Sequence, residues 1–397
     1  MVLQPDVIPN SYIRIDNFAG SADIYILTHA HTDHMAGLRA GWNAGPLYCS
    51  PMTAHLLRRR GIAQTVRPQP LGEPFQITNR YDHTTVTITF TNANHCPGSV
   101  MAVIEDLAQG TVVHTGDFRF SDDISADPVL NRVAGAVQHL YMDTSFDISW
   151  LPSKAASVRD VVALVREHQA EDIILHSHDL GDEEVLEAAA AAFPDRSFKF
   201  WNEDRLADLK VTNANLIRTL MERPLRRPCF HIVKSKAERR EYNLEGVEIA
   251  CSCLWFVLNN VSVRGATLDG DLWRVPFSMH SSKGEWQELR RWLAPKAMTP
   301  ICPTIAGCPP SDRNGGSEEN QESDEEEEGG EEAEELQKEA DRKEEALIRE
   351  AITRSVAFYR QAISPAESSD AEAEPEDPSD VLDMVTGTVT NKRARLD

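Results

Sequence analysis

Thr28-His29-Ala30-His31-Thr32-Asp33-His34 follows directly on the apolar run Ile24-Tyr25-Ile26-Leu27. Three imidazoles and a carboxylate therefore fall just past a segment that reads as a buried strand. A strand ending in H-x-H-x-D-H delivers His29 and His31 from one side of a loop and turns Asp33 and His34 toward a neighbouring position. Neutral imidazole and carboxylate oxygen are the ligands preferred by zinc and other borderline divalent cations. One histidine in this setting reads as a core or surface residue. Four polar groups together are costly to bury without a cation to satisfy them, so the stretch is a candidate metal site.

Working outward, the same arrangement recurs. Upstream, the alternating strand Tyr12-Ile13-Arg14-Ile15 ends on Asp16, a candidate acceptor for orienting a ligand histidine. Directly after the loop, Met35-Ala36-Gly37-Leu38 reads as the start of a helix whose positive end faces the site. Downstream, Thr85-Val86-Thr87-Ile88-Thr89-Phe90 alternates and then breaks at Asn94-His95-Cys96-Pro97-Gly98, which makes His95 a candidate third ligand and Cys96 a core residue. Thr111-Val112-Val113-His114-Thr115-Gly116-Asp117 ends on a carboxylate placed to bridge two metals, and Leu140-Tyr141-Met142-Asp143 delivers another. Strand ends that each carry an acid or a histidine suit a two-metal site, whose ions, about 3.5–4 Å apart, clamp the attacking and leaving oxygens of a phosphodiester.

Composition narrows the setting. The 397 residues carry a net charge of −23, but 27 acidic and 10 basic residues lie from Ser311 onward, leaving the first 310 residues at only −6. All 13 histidines precede Ser311. A polyanionic substrate is therefore compatible with the folded part, since a local basic groove suffices. Seven scattered cysteines do not form a disulfide framework. No apolar run reaches the length of about 18 residues that a membrane helix needs, and the first residues lack the basic flank and apolar core of a signal peptide. From Ser311 the chain is acidic and low in complexity, a composition expected to stay disordered. It ends on the basic cluster Lys392-Arg393-Ala394-Arg395, which resembles a nuclear-import signal.

The segments H-A-H-T-D-H, A-N-H-C-P-G-S-V-M and H-T-G-D-F-R resemble the metal motifs of metallo-β-lactamase-fold nucleases. With P-L-Y-C-S-P and L-Y-M-D-T-S-F, they resemble the β-CASP family of DNA cross-link repair nucleases, whose branches include Artemis and Apollo. The resemblance implies an α/β protein: a metallo-β-lactamase αββα sandwich (1–152, returning at 271–310), an inserted α/β β-CASP domain (153–270) and the acidic tail (311–397). It also implies a ligand set. His29, His31 and His95 hold a first metal, zinc. Asp33, His34 and His280 hold a second, more weakly bound metal, for which Mg or Mn also serves, and Asp117 bridges the two. Asp33, Asp117, Asp143 and His280 carry the catalysis, with Ser281 and Ser282 binding the substrate phosphate. Met279 and Cys253-Leu254-Trp255-Phe256 resemble the Artemis branch, whereas Leu180-Gly181-Asp182-Glu183 resembles an Apollo-type L-G-K-E segment with Asp in place of Lys. The implied partners are DNA and, through the tail, repair proteins, in the nucleus and without a membrane.

Within the insert, His176 and His178 read as surface or hydrogen-bonding residues. Cys229, His231, Cys251 and Cys253 offer an imperfect match to a structural zinc site. Two other functions compete with the nuclease: a small-molecule metallo-hydrolase, which the large insert disfavours, and a catalytically silent repair scaffold, which the intact ligand set disfavours.

Overall fold

The structure is a computed structural model that describes residues 7–9, 11–79, 83–177, 179–259, 261 and 265–302. The acidic tail from Ser311, its basic end and His178 lie outside the described residues.

Two sheets form the first unit. Strands Ile13–Ile15, Ile24–Ile26, Leu47–Cys49 and Val66–Pro68 pair in that order, all parallel. The second sheet has six strands in the order Ala297–Pro300, His139–Met142, Val112–His114, Val100–Glu105, Thr85–Asn92 and Phe75–Thr78. Its first three strands are parallel and the rest antiparallel. The alternation in Thr85–Asn92 turns Val86, Ile88 and Phe90 onto Ile13, Ile15, Ile24 and Ile26, and this cluster is the interior between the sheets. Ile24–Ile26 is buried on both sides because the helix Pro51–Arg59 covers its outer face. The outer face of the larger sheet is covered by helices Pro128–Val133 and Lys283–Leu293. This is an αββα sandwich.

The inserted unit is a third sheet, in the order Phe198–Phe200, Phe230–Val233, Ile173–His176, Val247–Cys251, Leu272–Val275 and Thr267–Asp269, parallel except for the last pair. Leu272–Val275 hydrogen-bonds into this sheet, so the insert's sheet extends past residue 270, the end expected from the sequence. Strand order reverses at Ile173–His176, and in open α/β sheets a ligand-binding crevice lies outside the carboxyl ends of the strands at such a reversal. The segment Ser177–Glu183 leaves that point and reaches the first unit.

Two local expectations change. No helix starts at Met35: a 3₁₀ turn over Thr32–Met35 ends there. The apolar spacing over 206–221 predicts one helix, whereas the structure has two, Glu203–Thr212 and Ala214–Glu222, broken at Asn213. Cys253–Leu258 is a helix following the strand Val247–Cys251.

Candidate metal centre

His29, His31 and His34 come from the loop after Ile24–Ile26, His95 from the turn after Thr85–Asn92, Asp117 from the loop after Val112–His114, Asp143 from the end of His139–Met142, and His280 from the returning segment. The ligand atoms of His29, His31, His95 and Asp117 lie within 4.8 Å of one another, as do those of Asp117, Asp143 and His280. Asp117 Oδ2 is the common point: it stands 3.7 Å from His29 Nε2, 3.1 Å from His34 Nε2, 3.6 Å from His95 Nε2 and 3.9 Å from His280 Nε2. Gly116 sets the approach, because a Cβ there would stand 2.8 Å from Thr28 Cβ.

Which nitrogen faces inward is fixed by what the other one meets. Asp16 accepts both the Thr28 amide and the Thr28 hydroxyl, at 2.7 and 2.6 Å. With its proton committed, Thr28 Oγ1 accepts from His29 Nδ1 at 3.0 Å. Asp16 Oδ2 also accepts from His34 Nδ1 at 2.9 Å. The Leu180 carbonyl accepts from His31 Nε2 at 2.9 Å, the Met279 carbonyl from His95 Nδ1 at 3.1 Å, and Asp143 Oδ2 from His280 Nδ1 at 2.9 Å. Each outer nitrogen thus carries a proton, and for His29, His31 and His95 the inner nitrogen offers a lone pair to the centre.

His34 Nε2 meets Asp117 Oδ2 at 3.1 Å, but the inner nitrogens of His29, His31 and His95 have no adequate partner within the protein. His29 Nε2 is fully buried without a hydrogen bond. His31 Nδ1 and His95 Nε2 face each other at 3.0 Å, lone pair against lone pair. Burial, reinforced by the surrounding imidazoles, holds His29 and His95 well below the ordinary imidazole range, so protons do not resolve the conflict there. On the other side burial also opposes charge, but Asp117 and Asp33 raise His34 well above that range, and Asp143 and Asp117 push His280 up to about 9. Orphaned donors converging on one carboxylate oxygen fit a divalent cation, and the cluster is a divalent-metal centre.

Asp33 stands apart. Its side chain is 53% exposed, and Oδ2 lies 3.8 Å from His34 Nε2, so it meets the cluster at its rim. The two serines expected to bind phosphate make contacts within the fold. Ser281 is buried; its hydroxyl donates to the Phe118 carbonyl at 3.0 Å and accepts the Phe120 amide at 2.9 Å. Ser282 caps the helix Lys283–Leu293 in a capping box with Glu285. The Ser281 hydroxyl thus donates and accepts within the fold, and the Ser282 oxygen accepts the Glu285 amide. Nor do the four candidates for structural zinc converge. Cys229 and His231 gather instead with Asp172. There Trp201 Nε1 donates to His231 Nδ1 at 3.0 Å, leaving the proton on the Nε2 that a metal would need.

Residue-type reasoning missed Thr28, Ser145 and Cys302. Ser145 and Cys302 both reach Asp143 Oδ1, at 2.6 and 3.3 Å. It also missed the carbonyls of Leu180 and Met279, since any residue supplies a carbonyl. Among the described residues no helix is long and apolar enough to cross a membrane.

A model of the beta-lactamase superfamily domain matches residues 14–178. The chain is 31% identical over 303 residues to the 5′ exonuclease Apollo of Gallus gallus, covering 74% of this chain and 63% of that protein. It is 32% identical over 306 residues to the Mus musculus protein of the same name, covering 74% of this chain and 54% of that one. To the DNA cross-link repair 1A protein of Homo sapiens it is 26% identical over 328 residues, covering 74% of this chain and 30% of that protein. The match thus spans less than two thirds of each of these relatives. A beta-lactamase superfamily domain thus accounts for residues 14–178, and over the sandwich and the insert together the chain is similar to the DNA cross-link repair proteins.

Proposed function

We propose that the protein is a metal-dependent DNA nuclease of DNA repair that hydrolyses phosphodiesters at DNA ends. The observation that carries this is the convergence of inward-facing imidazole nitrogens on Asp117 Oδ2. His29, His31 and His95 would hold zinc, and His34 and His280 a second divalent ion, with Asp117 shared and Asp33 at the rim. Such ions supply Lewis acidity and lower the pKa of water toward neutrality. Thr28 and the carbonyls of Leu180 and Met279 hold the outer protons of His29, His31 and His95, so that their inner nitrogens face the centre as lone pairs, while Asp16 and Asp143 orient His34 and His280. Asp143, buried and accepting from His280 Nδ1, orients that ligand.

The relatives named 5′ exonuclease Apollo support attack from a 5′ end, and a repair nuclease works in the nucleus. Met279 and the segment from Cys253 support a second reading, endonucleolytic opening of hairpins or overhangs. The test uses the full chain and an Asp117→Asn control with 5′-phosphorylated single-stranded DNA and a closed hairpin, in Zn²⁺ and in Mg²⁺. A ladder growing from the 5′ end, absent in the control, is expected. Hairpin opening without a ladder would support the second reading, and no cleavage of either DNA would contradict both.

A further inference from the structure

The helix Glu203–Thr212 of the insert is linked to His31 by two separate routes, and neither route contains a metal ligand other than His31 itself. The first route reaches the ring. His31 Nε2 donates to the Leu180 carbonyl, in a turn held from behind: the Gly181 amide donates to Glu183 Oε2 at 2.6 Å. Glu183 Oε1 in turn accepts Nη1 and Nη2 of Arg205, each at 3.3 Å, and the Thr212 hydroxyl at 3.3 Å. Arg205 also binds Asp182 Oδ1 and Ser177 Oγ, so the segment leaving Ile173–His176 is fastened at each end. Leu180, Glu183 and Arg205 are all buried.

The second route reaches the backbone. Asp208, one turn along the same helix from Arg205, pairs with Arg59 at 2.7 Å and with Arg60 at 3.4 Å. Arg60 Nη1 then donates to the carbonyl of Ala30, the residue between His29 and His31, at 2.8 Å. The Leu180–Gly181 turn also packs on Met279, whose carbonyl orients His95: a Cβ on Gly181 would fall 1.7 Å from Met279 Sδ. The insert therefore holds the ring, the backbone and the neighbouring ligand of one half of the centre.

The geometry points to Glu183, Arg205 and Asp208 as positioning residues for His31, through which docking of the inserted domain sets the metal affinity of the first unit. This rests on the metal-centre reading. None of the three touches the cluster. Their effect passes through hydrogen bonds that select the tautomer and direction of His31, and loss of such outer partners typically weakens metal binding roughly 10–100-fold. A metallo-β-lactamase unit whose insert is detached would keep its ligands yet hold His31 loosely.

Arg205→Ala strands two buried carboxylates and risks unfolding the insert, so the test uses Glu183→Gln and the more exposed Asp208→Asn in the full chain. Glu248→Gln serves as control: Glu248 is a buried acid of the same sheet, paired with His176 and Arg239 and not with the Leu180 turn. Zinc affinity is read by competition with a chromophoric chelator, and folding by circular dichroism and thermal unfolding. Glu183→Gln and Asp208→Asn should stay folded and bind zinc at least about tenfold more weakly. Glu248→Gln should unfold at a lower temperature with wild-type zinc affinity. Wild-type affinity in the two test variants, or an equal loss in the control, would overturn the inference alone. A wild type that binds no zinc would overturn the metal-centre reading and the inference with it. If Glu183→Gln unfolds, Asp208→Asn decides.

Discussion

Asp143 Oδ2 stands 2.9 Å from Nδ1 of His280, and the two residues hold each other charged in the metal-free protein. Burial opposes both charges, yet His280 and the Ser145 donors bring Asp143 down to about 2, while Asp143 and Asp117 bring His280 up to about 9. For the acid, the stabilisation is present above the ordinary carboxylate range and is lost as pH falls toward 2. For the imidazole, it is complete below its ordinary value and is lost as pH rises toward 9. The metal-free protein should therefore draw most stability from this pair between about pH 4 and 6.5. Asp143→Asn should flatten both limbs of the profile in unfolding midpoints taken from about pH 3 to 10; an unchanged profile would contradict the pairing.

Asp16→Asn should weaken the centre without touching it. The amide places a donor where Thr28 Oγ1 and His34 Nδ1 now donate, so the proton arrangement of both His29 and His34 is lost. A drop of roughly 10–100-fold in metal affinity is expected, read by chelator competition. Wild-type affinity would mean that Asp16 is a structural turn residue only.

Ser281→Ala separates a structural from a substrate-binding role. Its hydroxyl serves two buried backbone groups, the Phe118 carbonyl and the Phe120 amide. Stability should fall by about 1–3 kcal/mol in denaturant unfolding, while KM for DNA stays at the wild-type value. A raised KM at unchanged stability would restore the phosphate-binding role expected from the sequence.

Gly181→Ala should also destabilise. The residue has φ +112° and packs on Met279 Sδ, so a methyl group brings both backbone strain and a clash, together more than about 1 kcal/mol. Met279→Ala in the same chain removes the clash and leaves the strain. Partial recovery of the unfolding midpoint in the double variant is the expected result, and no recovery would place the whole cost in the backbone.

The ligands were legible in the sequence because each follows a short apolar run, and a polar group that ends a buried strand has few places to point. His29, His31, His95 and Asp117 all obey that pattern. Asp16 was readable for the same reason, although its route to His29 through Thr28 was not. The internal contacts of the serines were not legible because a hydroxyl both donates and accepts, so its use depends on neighbours far away in the chain: Ser281 meets Phe118 across 163 positions. The carbonyls of Leu180 and Met279 left no trace, since backbone acceptors carry no residue signature. The spacing over 206–221 predicts a single helix because the apolar pattern continues across Asn213, where the chain breaks and starts again.

Metal content is the most direct test of the centre. The full chain would be loaded with zinc, dialysed and analysed by inductively coupled plasma mass spectrometry, alongside His31→Ala and Asp117→Ala. About one to two equivalents of zinc per wild-type chain are expected, with the loss of roughly one or more in each variant. Wild-type protein that retains no stoichiometric zinc, or variants that retain as much as wild type, would contradict the assignment of the cluster as a metal centre.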